Sequence, residues 1–180
     1  MIDLDRLAEP MIGENCRAEL FDERHREALK AACAEDKDVW AIYANNFGPD
    51  GFDGSIDYYR SSKRNLTFVL FDSDALAGMS SYLGIDASRQ TLEIGGTYYR
   101  PHLRGTGFNR RIKDMMLGRA FDCGFRRVEF RVDRRNARSQ AAMTKLGAVR
   151  EGVLRADRIT WNGHVRDTVL FAILKDEWPI

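Results

Sequence analysis

The sequence has no long apolar stretch and few cysteines or histidines, and these scarcities exclude several classes of protein. No run of about 18 apolar residues occurs, so we expect no membrane span. The N-terminus, MIDLDR, is acidic and no apolar segment follows it, which argues against a secretory signal peptide. The three cysteines and three histidines are scattered without the spacing of metal ligands. We therefore expect a cytoplasmic protein with reduced thiols and no metal site.

The remaining composition is that of one ordinary globular domain. At 180 residues, 44% hydrophobic and 31% charged, the chain predicts a single domain over residues 1–180. Charge is unevenly distributed, since residues 1–99 carry 18 acidic and 10 basic side chains whereas residues 100–138 carry 4 and 12. The basic segment suits a polyanionic ligand, and the acidic half suits a cationic amine. Solvated faces explain most of these charges equally well, and no nucleic-acid recognition motif accompanies them.

The hydrophobic patterns predict the element order β-α-α-β-β-β-α-β-α-β-β, with turn-rich residues 45–54 as a loop. Asp22 and Asn136 are expected N-caps, and Gly124 and Gly147 are expected helix stops. Strands are expected at 16–21, 66–71, 76–85, 91–99, 127–132, 149–159 and 165–174. Helices are expected at 23–33, around Trp40, at 55–63, at 108–123 and at 136–146.

A glycine-containing turn, Arg104-Gly-Thr-Gly107, leads from an expected strand into an expected helix. Glycines let backbone N–H groups approach a ligand, and a helix start carries unpaired donors, so the turn is a candidate phosphate site. A P-loop is excluded because no lysine follows Gly107, and a dinucleotide fingerprint is excluded because Arg110 replaces its third glycine. Taken alone, the tetrapeptide favours the alternative of a strand-to-helix turn that binds nothing.

Two motifs resemble those of the GNAT N-acetyltransferases. Residues 104–109 match the pattern Arg-x-x-Gly-x-(Gly/Ala), except that Asn109 replaces the small final residue. Residues 136–147 match Asn-x-x-(Ala/Ser)-x-x-x-Tyr-x-Lys-x-Gly, except that Met143 replaces the tyrosine. The segments Leu92-Glu-Ile-Gly95 and Glu151-Gly-Val-Leu, together with the serine of the second motif, are similar to the Rim-type branch, which acetylates protein N-termini among other amines.

The resemblance implies an α/β GNAT acyl-CoA N-acyltransferase fold, with a mixed, mostly antiparallel sheet that splays at its central strands and carries helices on both faces. It also implies acetyl-CoA as co-substrate, with the pantetheine arm in the splay and the pyrophosphate on the turn. A bulge at Gly95-Gly96 would start that splay. The expected cofactor-binding residues are Thr97, Tyr99, Arg104, Gly105, Thr106, Gly107, Phe108, Asn109, Asn136 and Ser139.

The candidate catalytic residues are Glu93 and Ser139. Glu93 lies on the strand that leads to the cofactor turn and is the expected base, although a water chain or a surface role for this carboxylate stays open. Glu151 is a second, weaker candidate. Because Met143 has no proton to give, we expect Ser139, one helical turn earlier, to protonate or hydrogen-bond the departing sulfur. The alternative is that Ser139 caps its own helix.

Several questions stay open at this stage. The acceptor is expected to be a protein or peptide N-terminus, with a small amine such as a polyamine or an antibiotic as the alternative. A different acyl group, a non-catalytic acyl-CoA sensor and a homodimer are further alternatives. Six aromatic residues between positions 40 and 59 either line the acceptor site or form core, and the loop at 45–54 and the turn at 161–164 are expected to set specificity.

Overall fold

The computed structural model of the chain describes residues 2–178, which form one eight-stranded sheet with helices on both faces. The sheet order is β1-β2-β3-β4-β5-β6-β8-β7, and every neighbouring pair is antiparallel except the parallel pair β5–β6. The strands are β1 (Met11–Gly13), β2 (Cys16–Leu20), β3 (Leu66–Asp72), β4 (Ala75–Asp86), β5 (Thr91–Tyr99), β6 (Arg127–Asp133), β7 (Val149–Ile159) and β8 (Val165–Leu174).

Five α-helices connect these strands and cover the two faces of the sheet. They are α1 (Leu4–Ala8), α2 (Arg26–Cys33), α3 (Phe52–Ser61), α4 (Phe108–Asp122) and α5 (Ala137–Leu146). Four short 3-10 turns, at Glu23–His25, Asp38–Ile42, Pro101–Leu103 and Lys175–Glu177, complete the connections. No helix within residues 2–178 combines the length and apolarity needed to cross a membrane.

The sheet separates two apolar cores because successive strand residues point to opposite faces. On one face, α4 and α5 pack against a core that includes Leu92 and Ile94 of β5. On the other face, α2, the 3-10 turn at Asp38–Ile42 and α3 pack against Val69 and Met79 of the sheet. Glu93 therefore points away from α4, toward the face covered by α2 and α3.

The central strands β5 and β6 pair over only three residues. Their register joins residues 91–93 to 127–129, after which β5 continues along β4 and β6 continues along β8. Between the pairs Met79–Tyr98 and Ser81–Gly95, β4 has one residue and β5 has two. Gly96, one of these two β5 residues, has φ of 57°. This β-bulge at Gly96 turns β5 away from β6, so the predicted splay and its bulge are both confirmed.

Most of the predicted elements are present, and the caps act as expected. The Asp22 side chain accepts from Arg24 N–H, and Asn136 accepts from Ser139 N–H. Gly147 ends α5 in the left-handed region, with φ of 94°. The predicted absence of helix at 45–54 is wrong at its end, because α3 begins at Phe52 behind Gly51.

The predicted element order is also wrong at the start of the chain. It omits α1 and the edge strand β1, which pairs with β2 through a tight turn at Asn15. Both elements are short, five and three residues, so neither shows a full hydrophobic period in the sequence. Tertiary contacts stabilise them instead, since Leu7 and Met11 are buried in the core beside α4.

Candidate active site

A cleft opens where β5 and β6 part, and its lining comes from every element around the splay. The β5 wall runs from Glu93 to Tyr99, and the opposite wall runs from Phe130 to Asp133 on β6. The first turns of α4 and α5 contribute Asn109 and Ser139. The segment from Ile42 to Asn45 covers the side toward α2 and α3. The cleft therefore passes through the sheet between two unpaired strand edges.

The turn before α4 presents free backbone donors beside this cleft. Gly105 and Gly107 have φ of 80° and 83°, a conformation that favours glycine. Within residues 2–178, the N–H groups of Gly105, Gly107, Asn109 and Arg110 donate to no backbone carbonyl or side chain. A row of free N–H groups at a helix start matches the requirements of a pyrophosphate.

Other members of the turn have structural roles. The Phe108 side chain is fully buried in the core, so only its backbone belongs to the turn. The Thr106 hydroxyl donates to the Leu103 carbonyl oxygen at 2.8 Å, which closes the turn. The Arg104 guanidinium lines the cleft and forms an ion pair with Asp36 at 2.5 Å. The positive charge of Arg104, near the start of the basic segment, is thus partly neutralised by a carboxylate from the acidic half of the chain.

The β5 wall contains the two predicted pantetheine-binding residues. The Thr97 carbonyl oxygen accepts a hydrogen bond from the Tyr43 hydroxyl at 2.6 Å. The Tyr99 ring packs against Phe108, with ring centroids 5.8 Å apart. Both residues line the cleft beyond the bulge, where β5 has no pairing with β6. Apart from the Thr97 carbonyl oxygen, which already accepts from Tyr43, their backbone groups are therefore free of β6 and can meet an extended ligand laid in the gap.

Asn136 and Ser139 meet at the start of α5. The Asn136 Oδ1 atom accepts from the Ser139 N–H at 3.0 Å, so the cap of α5 is Asn136 and not the Ser139 hydroxyl. That hydroxyl has no hydrogen-bond partner among residues 2–178 and lines the cleft. Met143, one turn later, lines the same wall. The serine is thus free to contact a ligand in the gap.

Glu93 is the last residue of β5 that pairs with β6, and the cleft begins there. Its side chain is 17% exposed, and its Oε2 atom lies 3.7 Å from Arg131 Nε. The carboxylate folds over Gly95, because a Cβ atom at position 95 would lie 2.6 Å from Glu93 Oε1. Burial raises the pKa of Glu93, and the nearby guanidinium groups of Arg158 and Arg131 oppose that rise. A carboxylate with a raised pKa is a stronger proton acceptor than an exposed one.

Glu151, the second candidate, lies outside the cleft. Its two carboxylate oxygens accept from Arg127 Nη1 and Nη2 at 2.7 and 2.5 Å. This bidentate pair lowers the pKa of Glu151, which weakens it as a proton acceptor. The structure thus assigns Glu151 to an ion pair between β6 and β7.

The aromatic cluster divides between core and cleft. Trp40, Phe47 and Phe52 are almost completely buried in the core under α2 and α3. Tyr43 and Tyr59 line the cleft, and the Tyr59 ring covers the bulge because a Cβ atom at position 96 would lie 2.8 Å from it. The core interpretation is therefore confirmed for the three buried rings, the two tyrosines line the cleft, and Tyr58 is 64% exposed.

The tip of the β7–β8 hairpin does not line the cleft but holds the segment that covers one side of it. Trp161 donates from its backbone N–H to the Ala44 carbonyl oxygen and from Nε1 to the Trp40 carbonyl oxygen, at 3.1 and 2.8 Å. Asn162 Nδ2 donates to the Ala41 carbonyl oxygen at 3.2 Å. These bonds position residues 42–45, which line the cleft, whereas residues 46–54 and 161–164 do not line it.

Sequence reasoning missed most of the charged residues of the cleft. The basic lining residues are Arg104, Lys113, Arg131, Arg138, Arg158 and Arg166, against the acidic Glu93 and Asp133. Of these acids only Glu93 comes from the first half of the chain, so the excess carboxylates of that half do not line the cleft. Many of its carboxylates instead bind surface cations, as Asp53 binds Arg26 and Lys30.

Lys113 of α4 is one of the residues that sequence reasoning missed. Its side chain is buried, because position 113 shares a helix face with Met116, Leu117 and Ala120. The i, i+3, i+4, i+7 spacing from Lys113 to these residues was the available signal. Arg158 and Arg166 carried no such signal, since both come from strands far along the chain.

Comparison with known proteins identifies the family of this chain. The model of the Acetyltransferase (GNAT) domain family matches residues 18–149. The chain belongs to the GNAT acetyltransferase family. This family uses acetyl-CoA, and no group of three or more possible metal-ligating side chains occurs within residues 2–178. No curated protein matches the chain.

Solved structures agree with this GNAT assignment. A probable GNAT-family acetyltransferase from Chromobacterium violaceum is 30% identical, with a TM-score of 0.88 over 95% of this chain and 88% of that one. Mycobacterium smegmatis RimJ, solved with CoA-disulfide, is 19% identical with a TM-score of 0.79 over 92% and 84% of the two chains. Vibrio cholerae spermidine N-acetyltransferase, solved with CoA and spermine, is 16% identical with a TM-score of 0.74 over 92% and 98%. The latter two share the fold with this GNAT chain.

The phosphate turn generates a first prediction. Gly107→Val places a branched side chain at φ of 83°, which distorts the row of N–H groups. We expect the affinity for coenzyme A to fall about tenfold or more, measured by calorimetry. Gly152→Val on β7 is the control, because a Cβ atom there meets nothing within 4 Å. Unchanged affinity of a folded Gly107→Val variant would contradict the assignment of the turn.

Glu93 generates a second prediction, on pH dependence. Its carboxyl group must be ionised to accept a proton, and its pKa is raised. As the pH is lowered, kcat/KM should therefore begin to fall at a higher pH than it would with a carboxylate of ordinary pKa. Glu93→Gln should lower kcat by roughly 10–100-fold at neutral pH and remove that ionisation from the profile. Glu151→Gln, outside the cleft, should keep the wild-type profile. An unchanged rate in Glu93→Gln would leave water as the base.

Proposed function

We propose that the chain moves an acetyl group from acetyl-CoA directly to a primary amine, with Glu93 as the base. The observation that carries this proposal is the parting of β5 and β6 immediately after Glu93. One cleft therefore contains a proton acceptor, two unpaired strand edges and a helix start with free N–H groups. These are the groups that an acyl-CoA and an incoming amine require together.

The groups around the cleft favour one orientation of the acyl-CoA. The free N–H groups of Gly105, Gly107 and Asn109 suit the pyrophosphate, and the partial positive charge of the helix start adds to them, whereas the Arg104 guanidinium is already paired with Asp36. The backbone of Thr97 and Tyr99 suits the amides of the pantetheine arm, as an added strand would. Asn136 fixes the start of α5 on the other side of the gap. This orientation directs the thioester toward Glu93.

Transfer then follows from the groups around the thioester. The neutral amine attacks the thioester carbon, its proton passes to Glu93, and the electron pair of the C–S bond passes to sulfur. An α-amino group with a pKa of about 7.7–8.0 is roughly one tenth neutral at pH 7, whereas a lysine-like amine with a pKa of about 10.4 is under one thousandth neutral. A peptide N-terminus therefore needs less help from the base than an alkyl amine.

The charges of the cleft favour a peptide or protein N-terminus over a polyamine. Arg131, Arg158 and Arg166 lie near Glu93, and each of them influences the pKa of that carboxyl group. A polyamine keeps further positive charges after one amine is neutralised, and these would meet the arginines at close range. A peptide has one amine followed by neutral amides. The amine of a small antibiotic is the second candidate, and a sensor without transfer activity is the third.

A comparison of the turnover of different acceptors tests this proposal. Peptides with free α-amines should turn over with acetyl-CoA, whereas the same peptides with blocked α-amines and the polyamine spermidine should not. Release of free thiol measures the rate, and mass spectrometry locates the acetyl group. Turnover of spermidine alone would reject the N-terminal acceptor, and coenzyme A binding without turnover of any amine would identify a sensor.

Ser139 is the proposed hydrogen-bond donor to the departing sulfur, supported by its unpartnered hydroxyl in the cleft. A thiol with a pKa near 8.5 leaves readily, so the contribution should be small. We expect Ser139→Ala to lower kcat by roughly 10–100-fold and to leave coenzyme A affinity within a few-fold. The control is Ser88→Ala, in the turn between β4 and β5, whose hydroxyl binds Asp86. A wild-type rate in Ser139→Ala would remove the serine from the mechanism.

A further inference from the structure

A buried lysine lies beneath the gap between β5 and β6. Lys113 of α4 is 3% exposed, and its Nζ atom donates to Thr97 Oγ1 at 2.6 Å. The Ser80 hydroxyl lies 3.5 Å from the same Nζ atom. The Nζ atom also lies 5.9 Å from the centre of the Phe130 ring. Because Thr97 and Phe130 stand on opposite sides of the unpaired gap, the amine lies between the two strands.

No carboxylate among residues 2–178 lies within ion-pair distance of this amine. The neighbouring Asp114 binds Arg110 at 2.8 Å, and the carboxylate that influences Lys113 most is the more distant Glu93. Burial lowers the pKa of Lys113 to about 7, and Glu93 opposes that change. A buried ammonium without a counter-ion destabilises the folded state, so packing alone gives no reason for a lysine here.

The hydrogen bonds of Lys113 leave it capacity for a further partner. An ammonium has three N–H donors. Ser80 and Thr97 also bond to each other at 2.7 Å, so these two hydroxyls form a small network on one side of the amine. The side chain lines the cleft, so a remaining donor is accessible to a ligand in the gap. An acceptor bearing negative charge would compensate the buried cation and raise the pKa of Lys113 again, so that the amine stays protonated beside a thiolate.

We propose that the Lys113 ammonium binds the sulfur end of coenzyme A in the gap and stabilises the thiolate that acetyl transfer releases. The inference rests on the proposed function, because that reaction generates the thiolate. When the C–S bond breaks, its electron pair passes to sulfur and the amine proton passes to Glu93. The sulfur then leaves as a thiolate paired with the ammonium, so no further proton is required.

The charge of Lys113 and the hydroxyl of Ser139 act differently on the sulfur. A neutral hydroxyl donates one hydrogen bond, whereas a cation in a poorly hydrated gap also lowers the pKa of a nearby thiol. Lys113 should therefore change a property of bound coenzyme A that is independent of turnover. That property is the pKa of the bound thiol.

The experiment is a titration of coenzyme A bound to the protein, followed by the ultraviolet absorbance of the thiolate. In the wild-type complex the pKa of the bound thiol should lie below that of free coenzyme A by about one pH unit or more. In Lys113→Met, which keeps length and removes charge, this decrease should disappear. Calorimetry confirms occupancy in each complex, and Lys113→Gln serves as a second uncharged variant if Lys113→Met does not fold.

Controls separate charge from packing. Ser80→Ala removes one hydroxyl of the network and keeps the lysine, so its complex should retain the low thiol pKa. Removal of a buried cation should also leave the melting temperature of Lys113→Met equal to or above that of the wild type. A normal melting temperature with a changed thiol pKa excludes general unfolding as the cause.

The outcomes distinguish this inference from the proposed function. If the wild-type protein binds coenzyme A but its thiol pKa equals that of free coenzyme A, the inference is wrong and the proposed function stands. If Lys113→Met retains the low thiol pKa, Lys113 only anchors Thr97, and the inference is again wrong. If the wild type does not bind coenzyme A, both fail.

Discussion

The active-site cleft depends on the early end of pairing between β5 and β6. Three residue pairs hold these strands together, and the bulge at Gly96 then directs β5 toward β4. Backbone groups that would otherwise bond within the sheet become available to a ligand. Glu93 stands at the last paired position, so the same constraint sets both the opening of the cleft and the location of its carboxylate.

The cleft concentrates charges that the fold would be more stable without. Glu93 and Lys113 are both drawn toward their neutral forms by burial, and Arg166 is only 4% exposed. Desolvation of such groups costs free energy, which the two apolar cores on either face offset. Charges of this kind in a natural protein mark the functional site, because a pKa moved toward neutrality is useful for proton transfer.

The side of the cleft formed by residues 42–45 is closed by contacts between distant parts of the chain. Trp161 and Asn162 bind the carbonyl groups of residues 40, 41 and 44, so the β7–β8 hairpin fixes the segment that contains Tyr43. Tyr43 in turn donates to Thr97 on β5. A change in the shape of this side of the cleft therefore requires adjustment of the hairpin and the covering segment together.

The sequence by itself determined the family, most strands and helices, and the glycine turn before α4, because these follow from local signals. Hydrophobic period, helix caps and left-handed glycines each act over a few residues, and Glu93 and Ser139, proposed from their position next to such motifs, do line the cleft. The tertiary structure alone decided which charges meet in the cleft. Arg158 and Arg166 come from β7 and β8, and although helical spacing places Lys113 on the apolar face of α4, only the packing of that helix on the sheet brings its amine to Thr97. Which charges become neighbours depends on strand order and register, and no local pattern in the sequence encodes these contacts.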